Sequence, residues 1–253
     1  MVTTPPPGAG DDALLAFVRE SPIRRRAIVD HVRAWSRTLQ PGSEVLDVGA
    51  GTAPYRAFFD HCRYRTHDWE NSVHGGDVDV VGDLESGLTI PGGAFDGVLC
   101  TEVIEHTATP GRALAEIRRL LRPGGSLALT VPFVVPLHEE PFDFWRPTSH
   151  GLHRTLDHAG FTSIDVRPMT GWFGTAGEAL RDYAFATTDP TGEVSVPQRL
   201  AIQGAKLSAV ALGRWSHRLD RLDRRRALPV GWTVVCAAAA STPEHEEGTD
   251  DTR

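Results

Sequence analysis

The sequence predicts an α/β protein, a doubly wound, mostly parallel sheet with a helical insert before its last strand. Three observations carry this. Short apolar runs starting at Val45, Phe95, Ser126 and Phe161 alternate with segments of helical periodicity, the pattern of strands joined by crossover helices. A glycine-bracketed turn, Gly49-Ala50-Gly51, follows the first run, where the backbone can turn tightly and meet a ligand with no side chain in the way. The 253 residues suffice for one such domain, and 40% hydrophobic with 23% charged residues is ordinary for a globular chain.

Composition narrows the function classes. A net charge of −7 argues against a nucleic-acid binder that relies on bulk electrostatics. Cys62, Cys100 and Cys236 are too few and too scattered for a disulfide framework or a zinc site, which fits a reducing cytoplasm. Cys100 and Cys236 lie in apolar runs and read as small core residues. The opening MVTTPPPGAGDD lacks the basic and apolar regions of a signal peptide, and no stretch of about 18 apolar residues exists, so no membrane span is expected.

Residues 1–10 are rich in Pro and Gly and are expected to be disordered. Residues 11–20 suit a short helix with acidic residues in its first turn. Ser21-Pro22 reads as cap and first position of a helix running to about Leu39, with Ile23, Ala27, Ile28, Val32 and Trp35 toward one face and Arg24, Arg25 and Arg26 on a solvated one. After the first strand and the glycine turn, Ala53 to Asp60 is expected to be a helix whose N-terminal amides face the turn. Strands follow at Cys62–His67, ending at Asp68, then at Val78–Val81 and Phe95–Cys100. Gly111–Leu121 is an amphipathic helix, stopped sharply by Arg122-Pro123-Gly124-Gly125. The strand Ser126–Val131, the helix Thr148–His158 and the strand Phe161–Arg167 complete the alternation. Residues 169–229 break it with two helices, Gly171–Ala186 and Pro197–Leu222, read as a cap. Thr233–Ala238 is the last strand, and the acidic tail 241–253 is expected to be disordered, leaving one domain over 11–240.

In a sheet of this kind ligands bind outside the carboxyl ends of the strands. Those ends carry Gly49-Ala50-Gly51, Asp68, Asp83, Thr101-Glu102 and Pro132-Phe133. Four stretches, EVLDVGAGTAPYR (44–56), VVGDLES (80–86), FDGVLCTEVIEH (95–106) and EIRRLLRPGGSLALTVPF (116–133), resemble in order and spacing the class I S-adenosylmethionine-dependent methyltransferases. The resemblance covers roughly residues 23–168 and the final strand. It implies a Rossmann-like seven-stranded sheet whose last strand is antiparallel, with S-adenosylmethionine as cofactor and S-adenosylhomocysteine as product. It further implies that Gly49, Ala50 and Gly51 pass under the amino-acid end and ribose while Asp47 helps to hold the ammonium group. Asp68 is then placed to take the ribose hydroxyls, with Glu70 as its competitor, and Trp69 to pack on the adenine. Asp83 is in position to accept the adenine amino group, the alternative being a turn cap, and Leu84 to meet the ring. Thr101 and Glu102 would wall the methionine end.

The acceptor chemistry points to residues 132–161. His138, Glu139, Glu140, Asp143, Trp145, Arg146 and His150 fall within thirteen residues there. Methyl transfer needs in-line approach of a nucleophile and often a base, and histidine titrates near neutral pH. His138 is the first choice for that base, then Glu139 and His150. Against it stands a structural reading in which Asp143 pairs with Arg146 to pin the loop and His138 caps it. His138, Glu139 and Asp143 match no familiar ligand spacing, so no metal is expected. Trp172, Phe173, Tyr183 and Phe185 either line an acceptor pocket or pack the cap. The expected reaction is methylation of oxygen or nitrogen on a small molecule, in specialised metabolism or on a sugar-containing intermediate. A cell-envelope glycan or lipid-linked sugar is the alternative acceptor, and a cofactor-binding scaffold without turnover is a third reading. A monomer or homodimer without nucleic-acid partners is expected.

Overall fold

The computed structural model describes residues 23–70, 77–186 and 195–239. The expectations for residues 1–22 and for the tail from 241 lie outside them. The elements are α1 (Arg24–Ser36), β1 (Glu44–Val48), β2 (Arg63–Asp68), β3 (Val80–Val81), β4 (Phe95–Thr101), α2 (Pro110–Leu120), β5 (Leu121–Pro132), α3 (Ser149–His158), β6 (Phe161–Pro168), α4 (Trp172–Ala186), α5 (Val196–Leu219) and β7 (Gly231–Ala238).

The strands form one seven-stranded sheet in the order β3-β2-β1-β4-β5-β7-β6. The pairs among β1 to β5 are parallel, and β7 runs antiparallel to both β5 and β6, as expected for the last strand. Helices cover both faces, so the central strands are apolar on both sides. Leu46, Val48, Val98, Cys100, Leu127 and Leu129 pack with α2 and α3, while Val45, Leu99 and Ala128 pack with Ile28, Val32 and Trp35 of α1. Trp35 also donates its indole N–H to Ser126 Oγ at 2.9 Å, fixing α1 across β5. All three cysteines are free, and Cys100 and Cys236 are buried in the core.

Two elements differ from expectation. Only a 3-10 turn, Arg56–Phe59, forms where a helix over Ala53–Asp60 was predicted. Ala53 adopts φ +52°, outside the right-handed helical region, and Pro54 has no N–H to donate, so no helix starts beside the glycine turn. The sharp stop at Arg122–Gly125 is a bulge inside β5. Leu121 already pairs with Phe95, the register then slips, and Ser126 pairs with Gly97.

The insert forms as two helices, α4 and α5, packed on each other. Asp220, just past α5, is buried and accepts the N–H groups of Gly171 (2.7 Å), Phe173 (3.0 Å) and Gly174 (3.1 Å) at the start of α4. These are donors with no partner inside the helix, so one carboxylate caps α4 and ties it to α5. Among the described residues no helix is long and apolar enough to cross a membrane. Asp220→Ala should destabilise the chain by about 1–3 kcal/mol in urea unfolding, with faster hydrogen exchange at residues 171–174. Unchanged exchange there would show that the cap does not hold the insert.

Candidate active site

The site is built where the strand order reverses. The chain leaves β1 for β2 and β3 on one side and returns to β4 on the other, so the carboxyl ends of β1 and β4 open onto one crevice. Gly49 has φ +66°, and a Cβ there would lie 2.3 Å from Val103 Cγ2, so the turn after β1 packs directly on the turn after β4. Gly51 has φ +52°, and its N–H donates to Asp68 Oδ2 at 3.0 Å. The N–H of Trp69 takes the other oxygen at 2.8 Å, so Asp68 is held against the glycine turn. Ala50 N–H donates to the His67 carbonyl at 2.9 Å.

Asp47 is buried beneath this turn. The Tyr64 hydroxyl donates to its Oδ2, while Oδ1 has no hydrogen-bond partner. Burial pushes the Asp47 carboxyl up to about 7, with the Tyr64 hydrogen bond pulling the other way. Asp83 caps its own turn, accepting from Glu85 N–H at 2.9 Å and Ser86 Oγ at 2.7 Å, which is the alternative read from the sequence. Leu84 is part of the core, and Thr101 hydrogen-bonds the buried Tyr55 hydroxyl. Glu102 has φ +54° and meets Thr130 Oγ1 at 3.1 Å and Arg24 Nη1 at 2.5 Å. Arg24 therefore corrects the solvated-face expectation. Its guanidinium is largely buried, beside Glu102 with Glu178 and Glu105 nearby, whereas Arg26 is exposed.

The loop after β5 brings a second group to the same edge. Asp143 accepts two hydrogen bonds from Arg146, at 2.5 and 2.7 Å, and one from His138 N–H at 3.0 Å. The loop is thus pinned as its structural reading required. The His138 ring is left beside His106, with ring centroids 5.0 Å apart. Its Nδ1 lies 3.2 Å from the Pro136 carbonyl, 3.4 Å from Asp143 and 3.3 Å from Arg146 Nη2, whose shorter bond goes to Asp143. Burial lowers the pKa of His138, partly offset by Asp143. His106 Nδ1 lies 2.8 Å from the Phe142 carbonyl and must donate to it, so in the neutral ring Nε2 carries the lone pair. That Nε2 faces Glu105 Oε1 at 3.8 Å and Glu139 Oε2 at 3.9 Å. Glu105 is fully buried, neither carboxylate oxygen has a hydrogen-bond partner, and burial followed by the charge of Glu102 raises its pKa well above the usual range.

His138 and Glu139 are therefore gathered, joined by Glu105 and His106. His150 is exposed on the first turn of α3 and stands outside this group. Sequence reasoning noted Glu105-His106 without a role and missed Arg24. Trp69 meets Phe142 of the loop edge-on at 5.1 Å, joining the two halves of the crevice. Phe142, Phe144, Trp172 and Tyr183 are exposed, Phe173 is half-buried, and the Phe185 side chain lies outside the described residues. A separate hollow, lined by Gln40, Gly42, Asp96, Gly124 and Ser126 among others, opens at the amino ends of the strands, away from all these groups.

Residues 46–129 match the family model described as a methyltransferase domain. Over these residues the chain carries a methyltransferase domain. The ubiquinone biosynthesis O-methyltransferase of Xanthomonas campestris pv. campestris (strain B100) is 27% identical over 196 residues, covering 67% of this chain and 74% of that protein. The lovastatin diketide synthase lovF of Aspergillus terreus is 35% identical over 86 residues, 34% of this chain but 3% of that protein. This chain therefore spans only a small part of the length of that relative. Among solved structures, the [4+2]-cyclase SpnF superposes with a TM-score of 0.54 at 20% identity, covering 85% of this chain and 82% of that one, a likeness of fold.

Two outcomes test the cofactor half of the methyltransferase domain. Gly49→Ala should destabilise the protein by about 1–3 kcal/mol, and adding Val103→Ala should recover part of the loss by removing the clash. No recovery in the double variant would mean that Val103 is not what confines the turn. Because the folded pKa of Asp47 is raised, the native state holds a proton that the unfolded chain lacks between about pH 4 and pH 7. Its contribution to stability is therefore greatest below pH 4 and falls as pH rises to 7. Asp47→Asn removes that fall, so the variant should gain roughly 2–4 kcal/mol over wild type on going from pH 4 to pH 8 in denaturant unfolding. A constant difference between the two would contradict a buried, high-pKa carboxyl.

Proposed function

We propose that this protein transfers a methyl group from S-adenosylmethionine to an oxygen or nitrogen atom of a small molecule. The observation that carries the reading is the meeting, at one switch point, of the glycine turn over Asp47 and the cluster of His106, His138, Glu105 and Glu139. Asp47, Gly49, Ala50, Gly51, Asp68 and Trp69 are assigned to the cofactor, with Leu84, Thr101 and Glu102 closing its walls. Asp83 is assigned to the adenine amino group, although its present bonds go to its own turn. In the reaction the S–CH3 bond breaks with its electron pair staying on sulfur, and an O–CH3 or N–CH3 bond forms. The acceptor's proton must leave, and the imidazole lone pairs of His138 and His106 are placed to take it.

The acceptor is proposed to enter over the exposed rings of Phe142 and Phe144, which suit a ring or other apolar body carrying one polar atom. The similar ubiquinone O-methyltransferase and lovastatin synthase act in biosynthesis by their names, which favours a biosynthetic role here. A cytoplasmic location is proposed from the three free cysteines, and the domain is read as spanning 11–240.

Calorimetry should find one equivalent of S-adenosylhomocysteine bound per chain, and absence of binding by the folded protein would overturn the reading. Once a methyl acceptor is found by screening, His138→Ala should lower turnover by about two to four orders of magnitude with cofactor binding retained. An unchanged rate at saturating acceptor would remove His138 from the chemistry.

A further inference from the structure

We propose that Glu105, His106 and His138 form a binding site for one divalent transition-metal ion, of which zinc is the type, at the acceptor end of the crevice. The inference rests on the acceptor-side reading for its function, though not for its existence. The three residues offer ligand atoms that all lie within 4.8 Å of one another. They come from two segments, the turn after β4 and the loop after β5, which the fold brings together.

The carboxylate is the first ground. Glu105 is 0% exposed, and both of its oxygens lack a hydrogen-bond partner. A buried carboxylate in that condition calls for a counter-charge or a ligand. The nearby guanidiniums hydrogen-bond elsewhere, Arg24 to Glu102 and Arg146 to Asp143, and reach Glu105 only through their charge, which does not offset the cost of its burial.

The imidazoles are the second. A metal-binding histidine gives its other ring N–H to a carbonyl or carboxylate, which fixes the tautomer and presents the lone pair. His106 does this through Nδ1 and the Phe142 carbonyl at 2.8 Å. His138 has Nδ1 near the Pro136 carbonyl at 3.2 Å, Asp143 at 3.4 Å and the Arg146 guanidinium at 3.3 Å, and a ligand at Nε2 requires the tautomer in which Nδ1 donates to Pro136 while Arg146 keeps its shorter bonds to Asp143. Phe142, Pro136 and Asp143 all stand on the loop that carries His138 itself.

The donor set then selects the ion. Two imidazole nitrogens and one carboxylate suit zinc and its neighbours in the first transition row, whereas magnesium and calcium prefer oxygen alone. An ion at about 2.0–2.2 Å from each donor needs them about 3.3 Å apart. His106 Nε2 and Glu105 Oε1 are 3.8 Å apart, so small side-chain rotations close the set. Glu139, with Oε2 at 3.9 Å from His106 Nε2, is at hand as a further oxygen donor. A remaining position would take an acceptor hydroxyl and make its proton easier to lose; with the ion bound the two imidazoles act as ligands in place of bases, and that proton would pass to Glu139 or to water.

The test uses the whole chain, stripped with chelator, without cofactor or acceptor. Titration with zinc chloride in a calorimeter should show one equivalent bound, and cobalt(II) should give visible absorption bands that zinc removes. Glu105→Gln, close in shape and uncharged, and His138→Ala, on a half-exposed loop, should each weaken binding by about 10- to 100-fold. His158→Ala, on an exposed face of α3, should leave it unchanged. Absence of saturable binding, or equal affinity in wild type and both site variants, would overturn the site. Since S-adenosylhomocysteine binding is measured separately, loss of the metal site and loss of the methyltransferase reading give different results.

Discussion

The approach of two turns, one after β1 and one after β4, organises the site. Gly49 lets them touch, since any side chain there would collide with Val103. With the turns in contact, the backbone amides of residues 49–51, the Asp68 carboxylate and Glu102 share one edge of the sheet. Asp68 ties the β2 end to the glycine turn through Gly51 N–H, so three strand ends act as one rigid rim. This is how a parallel sheet turns a change of strand order into a binding crevice.

Around that rim the protein buries several ionisable groups. Asp47 is hidden with one oxygen unpaired, Glu105 with two, and Arg24 is drawn in among Glu102, Glu105 and Glu178. Each group would be less costly in water. Such groups are expected where a ligand completes the missing partners. The two carboxylates with unpaired oxygens flank the Gly49–Val103 contact in sequence, Asp47 two residues before Gly49 and Glu105 two residues beyond Val103. In the proposed reading the first faces the ammonium group of the cofactor and the second the acceptor or a metal.

The sheet was legible because its strands are apolar on both faces and its turns are punctuated by Gly and Pro. The glycine turn was legible because its residue types admit few alternatives. The helix expected after it was not, because Ala53 carries no signal for a positive φ and Pro54 is as common at a helix start as in a turn. Arg24 looked like its neighbours Arg25 and Arg26, and only the tertiary position of Glu102 distinguishes it. The loop residues were found by density, yet the pairing of His138 with His106, 32 positions earlier, is a contact between the turn after β4 and the loop after β5 that spacing along the chain cannot show. His150 looked equivalent to His138 in sequence, but the first turn of α3 points it to solvent.

The account rests on the cofactor lying at the carboxyl edge of the sheet, and not in the hollow at the amino edge. Amide chemical shifts during titration with S-adenosylhomocysteine separate the two most directly. Shifts should concentrate at residues 49–51, 68–69, 83–84 and 101–102, with Gln40, Gly124 and Ser126 unmoved. Shifts centred on Gln40, Gly42, Gly124 and Ser126, with the glycine turn silent, would contradict it.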